Sequence, residues 1–180
     1  MKTVVLFGDS MLGRFTKSRI DQFEDEAVTE IVVINCGAGG WTCRDGARRV
    51  EMVARMAPDV VVLSFGMNDC APERLVGLDA FGAYLRSIVE AFPRATVLGF
   101  LPPSVIEQDG VGPRGRTNTV LASYRDVLRD VVDLGRAVET DEVLAPLVAA
   151  GVPTHVDGIH LTDEAYRLVI RALARLVDAS

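Results

Sequence analysis

The chain has 180 residues, 49% hydrophobic and 24% charged, with a formal net charge of −6 at pH 7. That length suits one core burying roughly two-thirds of the surface its unfolded form exposes, and the apolar share excludes a disordered chain. The acidic balance argues against a nucleic-acid partner, because phosphate contacts need a concentrated basic face.

The first apolar run, Thr3–Phe7, stops at Gly8 and Asp9 and reads as a buried strand. It falls short of the roughly 7–15 residues of a secretory h-region, so no export signal and no membrane span are expected. Ile31–Ile34, Val60–Phe65 and Thr96–Leu101 repeat the pattern, and their continuous rather than alternating apolarity predicts a parallel sheet. Phe81, Tyr84, Leu85, Ile88, Val89 and Phe92 recur at helical spacing. The segment Pro102–Arg116 carries Pro102, Pro103, Pro113, Gly110, Gly112 and Gly115 without periodicity. It predicts a long surface loop, either a lid or binding loop or an excursion without function. Val120, Leu121, Tyr124, Val127, Leu128, Val131 and Val132 mark a second amphipathic helix, and a short fifth strand falls near Ala137–Glu139. A last helix starts after Thr162, an N-cap followed by Asp163 and Glu164, with an apolar stripe through Leu168, Val169, Ala172, Leu173 and Leu176. This alternation predicts a three-layer α/β/α fold, a flavodoxin-like doubly wound parallel five-stranded sheet, in a single domain spanning residues 1–180.

Cys36, Cys43 and Cys70 form no disulfide framework and have no zinc-ligand spacing, so reduced thiols in a cytoplasmic protein without metal or cofactor are expected. Arg44, Arg48 and Arg49 read as a solvated helix face.

In an open parallel sheet ligands bind beyond the carboxyl ends of the strands. There the chain carries Gly8-Asp9-Ser10 after the first strand, Asn35-Cys36-Gly37-Ala38-Gly39-Gly40 after the second and Gly66-Met67-Asn68-Asp69 after the third, with Asp157-Gly158-Ile159-His160 before the last helix. Singly, each is a turn or a cap. Together they supply a hydroxyl nucleophile, a base, a carboxylate to orient the base and donors for an oxyanion, the parts that acyl transfer needs. Asp157 and His160 lie three positions apart across a glycine, a spacing that lets one short segment provide both orienter and base.

These segments and their order resemble the SGNH/GDSL hydrolase superfamily over the whole chain. The resemblance implies a carboxylic ester hydrolase acting on a small acyl ester, with Ser10 as nucleophile and His160 and Asp157 completing a triad. It also implies an oxyanion hole formed by the backbone N–H groups of Ser10 and Gly40 and the Asn68 side-chain amide. Gly40 stands five positions after Asn35, which matches the family's spacing, with Gly37 as second choice. Met11 stands where many members have leucine, a swap of similar volume. Thioesterase, lysophospholipase or O-acyltransferase chemistry on the same triad stays open.

Trp41 reads equally as a wall of the acyl pocket or as core. Arg114 and Arg116 read as solvated loop arginines that could alternatively meet an anionic substrate, and His155 as a turn residue. Two non-hydrolytic readings fail on particular residues. A dinucleotide-binding module would place its glycine-rich turn after the first strand and a glycine or alanine where Thr42 stands. A receiver-like module phosphorylated at Asp69 would want a lysine at a late strand end, and the only lysines are Lys2 and Lys17.

Overall fold

The computed structural model describes every residue except Leu134. In chain order the elements are β1 Lys2–Gly8, α1 Ser10–Gly13, α2 Lys17–Glu26, β2 Ile31–Asn35, α3 Cys43–Ala47, α4 Val50–Ala54 and β3 Val60–Ser64. There follow α5 Leu78–Glu90, β4 Thr96–Phe100, α6 Asn118–Val131, β5 Ala137–Val138, α7 Thr140–Ala149 and α8 Asp163–Asp178.

The five strands form one sheet in the order β2-β1-β3-β4-β5, and all pairs are parallel. Helices α3, α5 and α6 pack together on one face, and α2, α7 and α8 on the other. The three-layer doubly wound expectation therefore holds. The central strands are apolar on both faces because both are covered: Val4 to Phe7 and Val61 to Leu63 are fully buried. On α8 the buried stripe runs Tyr166, Val169, Ile170, Leu173 and Val177, and on α5 it runs Phe81, Leu85 and Ile88. Truncating a buried phenylalanine of this core, such as Phe7 or Phe81, costs about 3–5 kcal/mol. Among the described residues no helix is long and apolar enough to cross a membrane.

After β1 the chain winds to β2 at one edge and then returns to β3 on β1's other side, so a crevice opens where the winding reverses. Gly8 pairs with Ser64 across that point, and a Cβ on Gly8 would sit 2.2 Å from the Ser64 carbonyl oxygen. Only glycine lets the strands approach this closely, which brings the segments after β1 and β3 side by side.

Candidate active site

Ser10 opens the one-turn helix α1, whose N-cap Asp9 accepts a hydrogen bond from the Met11 N–H at 2.9 Å. The cap fixes the turn that leaves the Ser10 hydroxyl at the crevice. On the opposite wall, Asp157 closes an Asx-type turn: its Oδ1 accepts from the N–H groups of Ile159 at 3.0 Å and His160 at 2.8 Å. Its Oδ2 lies 2.6 Å from His160 Nδ1, and His160 Nε2 lies 3.0 Å from Ser10 Oγ. A carboxylate can only accept, so Nδ1 carries the ring proton and Nε2 accepts from the serine hydroxyl. Burial opposes ionisation of Asp157, but the bonds from the His160 backbone and ring and the Ile159 N–H outweigh it and hold the carboxyl below the ordinary carboxylate range.

Gly40 and Asn68 face the same cleft, a space of about 670 Å³ that Ser10 and His160 also line. Gly40 adopts φ +80°, a conformation that favours glycine, and among the described residues neither its N–H nor that of Ser10 has an acceptor. The Gly37 N–H instead donates to Asn35 Oδ1 at 2.8 Å, and Asn35 Nδ2 donates to the carbonyls of Leu12 and Phe15. Asn35 is thus a brace between β2 and the segment after Ser10, and the N–H of Gly37 is taken. Asn68 Nδ2 donates to the Trp41 carbonyl at 2.9 Å, which leaves its second amide hydrogen free.

Arg116 departs from the solvated reading. It is 2% exposed, its Nε donates to the Met67 carbonyl at 2.7 Å and its Nη2 to Asn68 Oδ1 at 3.2 Å, while Nη1 reaches the Pro113 carbonyl at 3.2 Å. A guanidinium on Asn68 Oδ1 fixes which end of the amide is oxygen, and so turns the NH2 toward Trp41 and the cleft. An arginine in a glycine- and proline-rich segment carries no local mark of burial, because two of its three acceptors lie 48 and 49 positions away.

That segment is a fixed wall. Ser104 donates to Asp141 through both N–H and Oγ, Val105 N–H donates to Asn118, and Ile106 N–H donates to the Gly158 carbonyl. Pro113 and Arg114 line the cleft with Arg116. Trp41 packs edge-on against Phe7 with the Arg49 guanidinium over its ring, so its side chain belongs to the packing rather than to the cleft wall. The three thiols are free; Cys43 and Cys70 are buried, and burial pushes the Cys70 thiol up to about 11. His155 is half-buried, with Nδ1 2.9 Å from Thr154 Oγ1, and burial lowers its pKa.

Two buried carboxylates brace the site from behind. Asp69 accepts from Cys43 N–H at 2.8 Å and Gly66 N–H at 3.0 Å, tying the start of α3 to the segment after β3. Asp9 is fully buried and, among the described residues, its Oδ2 has no partner. Burial foremost raises its carboxyl to about 7, with the Met11 N–H opposing and nearby Asp69 adding to the rise. An unfolded aspartate titrates near 3.9. Between about pH 4 and pH 7 the folded protein therefore keeps a proton that the unfolded chain has lost, so stability falls as pH rises through that window. Asp9→Asn keeps the cap acceptor and removes the charge. It is expected to raise Tm at pH 8 and to leave it near the unsubstituted value at pH 4, as thermal unfolding of both proteins from pH 4 to 8 will test. An offset independent of pH would refute the assignment to Asp9.

Comparison with known proteins agrees with the fold. The chain is similar over 99% of its length, and 96% of the other's, to a lipase/acylhydrolase from Enterococcus faecalis, at 24% identity and TM-score 0.86. It is similar over 98% of its length to an acetylxylan esterase from Geobacillus stearothermophilus, covering 94% of that chain at 22% identity and TM-score 0.78. An α/β hydrolase enzyme from the metagenome of Lake Arreo aligns over 99% of this chain and 96% of its own, at 18% identity and TM-score 0.80. No curated protein matches the sequence. Residues 6–168 match the GDSL-like Lipase/Acylhydrolase family. That match takes in all four segments around the cleft, and the chain belongs to this family of carboxylic ester hydrolases.

Proposed function

We propose that the protein is a serine esterase that cleaves small acyl esters through an acyl-enzyme on Ser10. The observation that carries this reading is the continuous line Asp157 Oδ2, His160 Nδ1, His160 Nε2 and Ser10 Oγ, with contacts of 2.6 and 3.0 Å, opening into one cleft. His160 takes the proton of Ser10 as Oγ attacks the ester carbonyl, and Asp157 stabilises the imidazolium that forms. The oxyanion is met by the N–H groups of Ser10 and Gly40 and the second amide hydrogen of Asn68, donors already in place before reaction. His160 then returns its proton to the departing alcohol. Water, activated by the same imidazole, releases the acid and restores Ser10.

Small acyl groups suit the cleft because Pro113 and Ile159 are the apolar side chains among its lining residues besides glycines, too little surface to hold a long chain. Three free thiols suit a reducing cytoplasm, and the chain works as one domain in this reading. A fluorophosphonate probe tests the assignment. It is expected to label the protein once, at Ser10, with loss of ester hydrolysis in step. Hydrolysis that persists after full labelling, or labelling elsewhere, would overturn it.

A further inference from the structure

Four guanidiniums surround the Ser10 crevice. Arg14 caps the end of α1, four positions after Ser10, and Arg114 sits at the tip of the wall segment in a left-handed conformation, φ 57°. Both are exposed and both line the cleft. Arg74 reaches the carbonyl oxygen of Gly40 from outside, and Arg116 lies buried beneath Asn68.

Among the described residues no carboxylate lies within ion-pair distance of any of the four. Arg19, Arg125 and Arg129 are matched by Asp163, Asp141 and Glu139, and the further arginines that lack an ion pair, such as Arg44, Arg55 and Arg94, lie away from the cleft. The one acidic residue lining the cleft is Asp157, whose oxygens are committed to the His160 ring and to two backbone N–H groups. A chain with net charge −6 therefore presents its candidate site as a positive hollow. Like charges gathered around a cleft repel one another when it is empty and attract an anion that enters it, and field focusing in a concave site strengthens that attraction. A neutral ester would gain nothing from them, and the apolar lining is too thin to recognise its hydrocarbon instead.

We infer that the substrate is an ester whose acyl or alcohol part carries a carboxylate or phosphate, held by the guanidiniums of Arg14 and Arg114 while its ester carbon meets Ser10. This rests on the esterase reading above and narrows it. The planar guanidinium fork matches both oxyanions, so carboxylate and phosphate share one recognition chemistry.

The test compares near-isosteric esters by kcat/KM, each corrected for its rate with hydroxide. On the acyl side, monomethyl succinate is set against methyl 4-methylpentanoate. On the alcohol side, 4-acetoxybenzoate and 4-acetoxyphenyl phosphate are set against methyl 4-acetoxybenzoate. At least one anionic ester is expected to exceed its neutral counterpart by ~10-fold or more, with the advantage shrinking as salt rises from about 20 to about 500 mM. The arm that responds tells acyl from alcohol side and carboxylate from phosphate. The double variant R14A/R114A is expected to bring that ratio to within about threefold of unity. Equal or better turnover of the neutral esters, or a preference that survives R14A/R114A, would overturn the inference and leave the esterase reading standing. If no ester is turned over and the fluorophosphonate leaves Ser10 unlabelled, the esterase reading itself falls, and this inference with it.

Discussion

Ser10→Ala is expected to lower ester hydrolysis by at least ~10³-fold while the fold survives. Among the described residues the hydroxyl oxygen has one hydrogen-bond partner, His160 Nε2. The N-cap bond of α1 comes from Asp9, one residue earlier, so the turn that carries position 10 is untouched. What remains after the substitution is help from binding and from the oxyanion donors toward direct attack by water, far slower than the two-step route. Initial rates on p-nitrophenyl acetate and a thermal unfolding curve measured together will decide it. A variant that unfolds with the unsubstituted protein yet keeps its rate would exclude Ser10 as nucleophile.

The second large effect is at Asp157. Replacing it with asparagine keeps an oxygen for the N–H groups of Ile159 and His160, so the turn survives, but can set an NH2 against His160 Nδ1. The ring then takes the tautomer with its proton on Nε2 and can no longer accept from Ser10. A loss in kcat of up to ~10⁴ is expected, by analogy with the same replacement in a serine protease triad. Because the folded carboxyl is held below the ordinary range, Asp157 stays ionised as pH falls from neutrality through the range where imidazole titrates. The acid limb of kcat/KM is therefore expected to report the protonation of His160, not of Asp157, with activity rising with pH and then levelling. The sign for stability follows the same shift: Asp157 favours the folded state above its unfolded titration range, and that contribution is lost as pH falls through the folded value. A loss of only a few-fold in Asp157→Asn, with the profile unchanged, would reduce Asp157 to an optional support.

Much of this was legible in the sequence because the relevant signals are local. β1, β2, β3 and β4 are continuous apolar runs, the first three followed by glycine or asparagine turns and β4 by Pro102-Pro103, and the segments at their carboxyl ends are the ones that meet at the cleft. Other elements carry weaker marks. Helix α2 is polar over most of its length and buries Phe23 alone, so no stripe announces it. Helix α7 contains Pro146, which reads as a breaker, and α3 and α4 are five residues each, too short for a period to register. β5 has two residues and exists because β4 offers it a free edge, Gly99 to Ala137 and Phe100 to Val138. Spacing is all that separates Gly37 from Gly40 in the sequence, and it carries no sign that the Gly37 N–H is bonded to Asn35. The burial of Arg116 against Asn68 left no mark in the sequence, since a buried cation is defined by acceptors that the fold brings to it.

That dependence of Asn68 on Arg116 also imposes an order on the protein's birth. A nascent chain that has emerged only as far as β4 already carries Ser10, Gly40 and Asn68, but the guanidinium that sets the amide and the imidazole proposed to deprotonate the serine are still to be synthesised. A domain generally folds as a unit, and its long-range parallel pairings are slow to close. In the proposed mechanism the Ser10 hydroxyl therefore gains its base only when the segment carrying Asp157 and His160 docks, 150 positions along the chain.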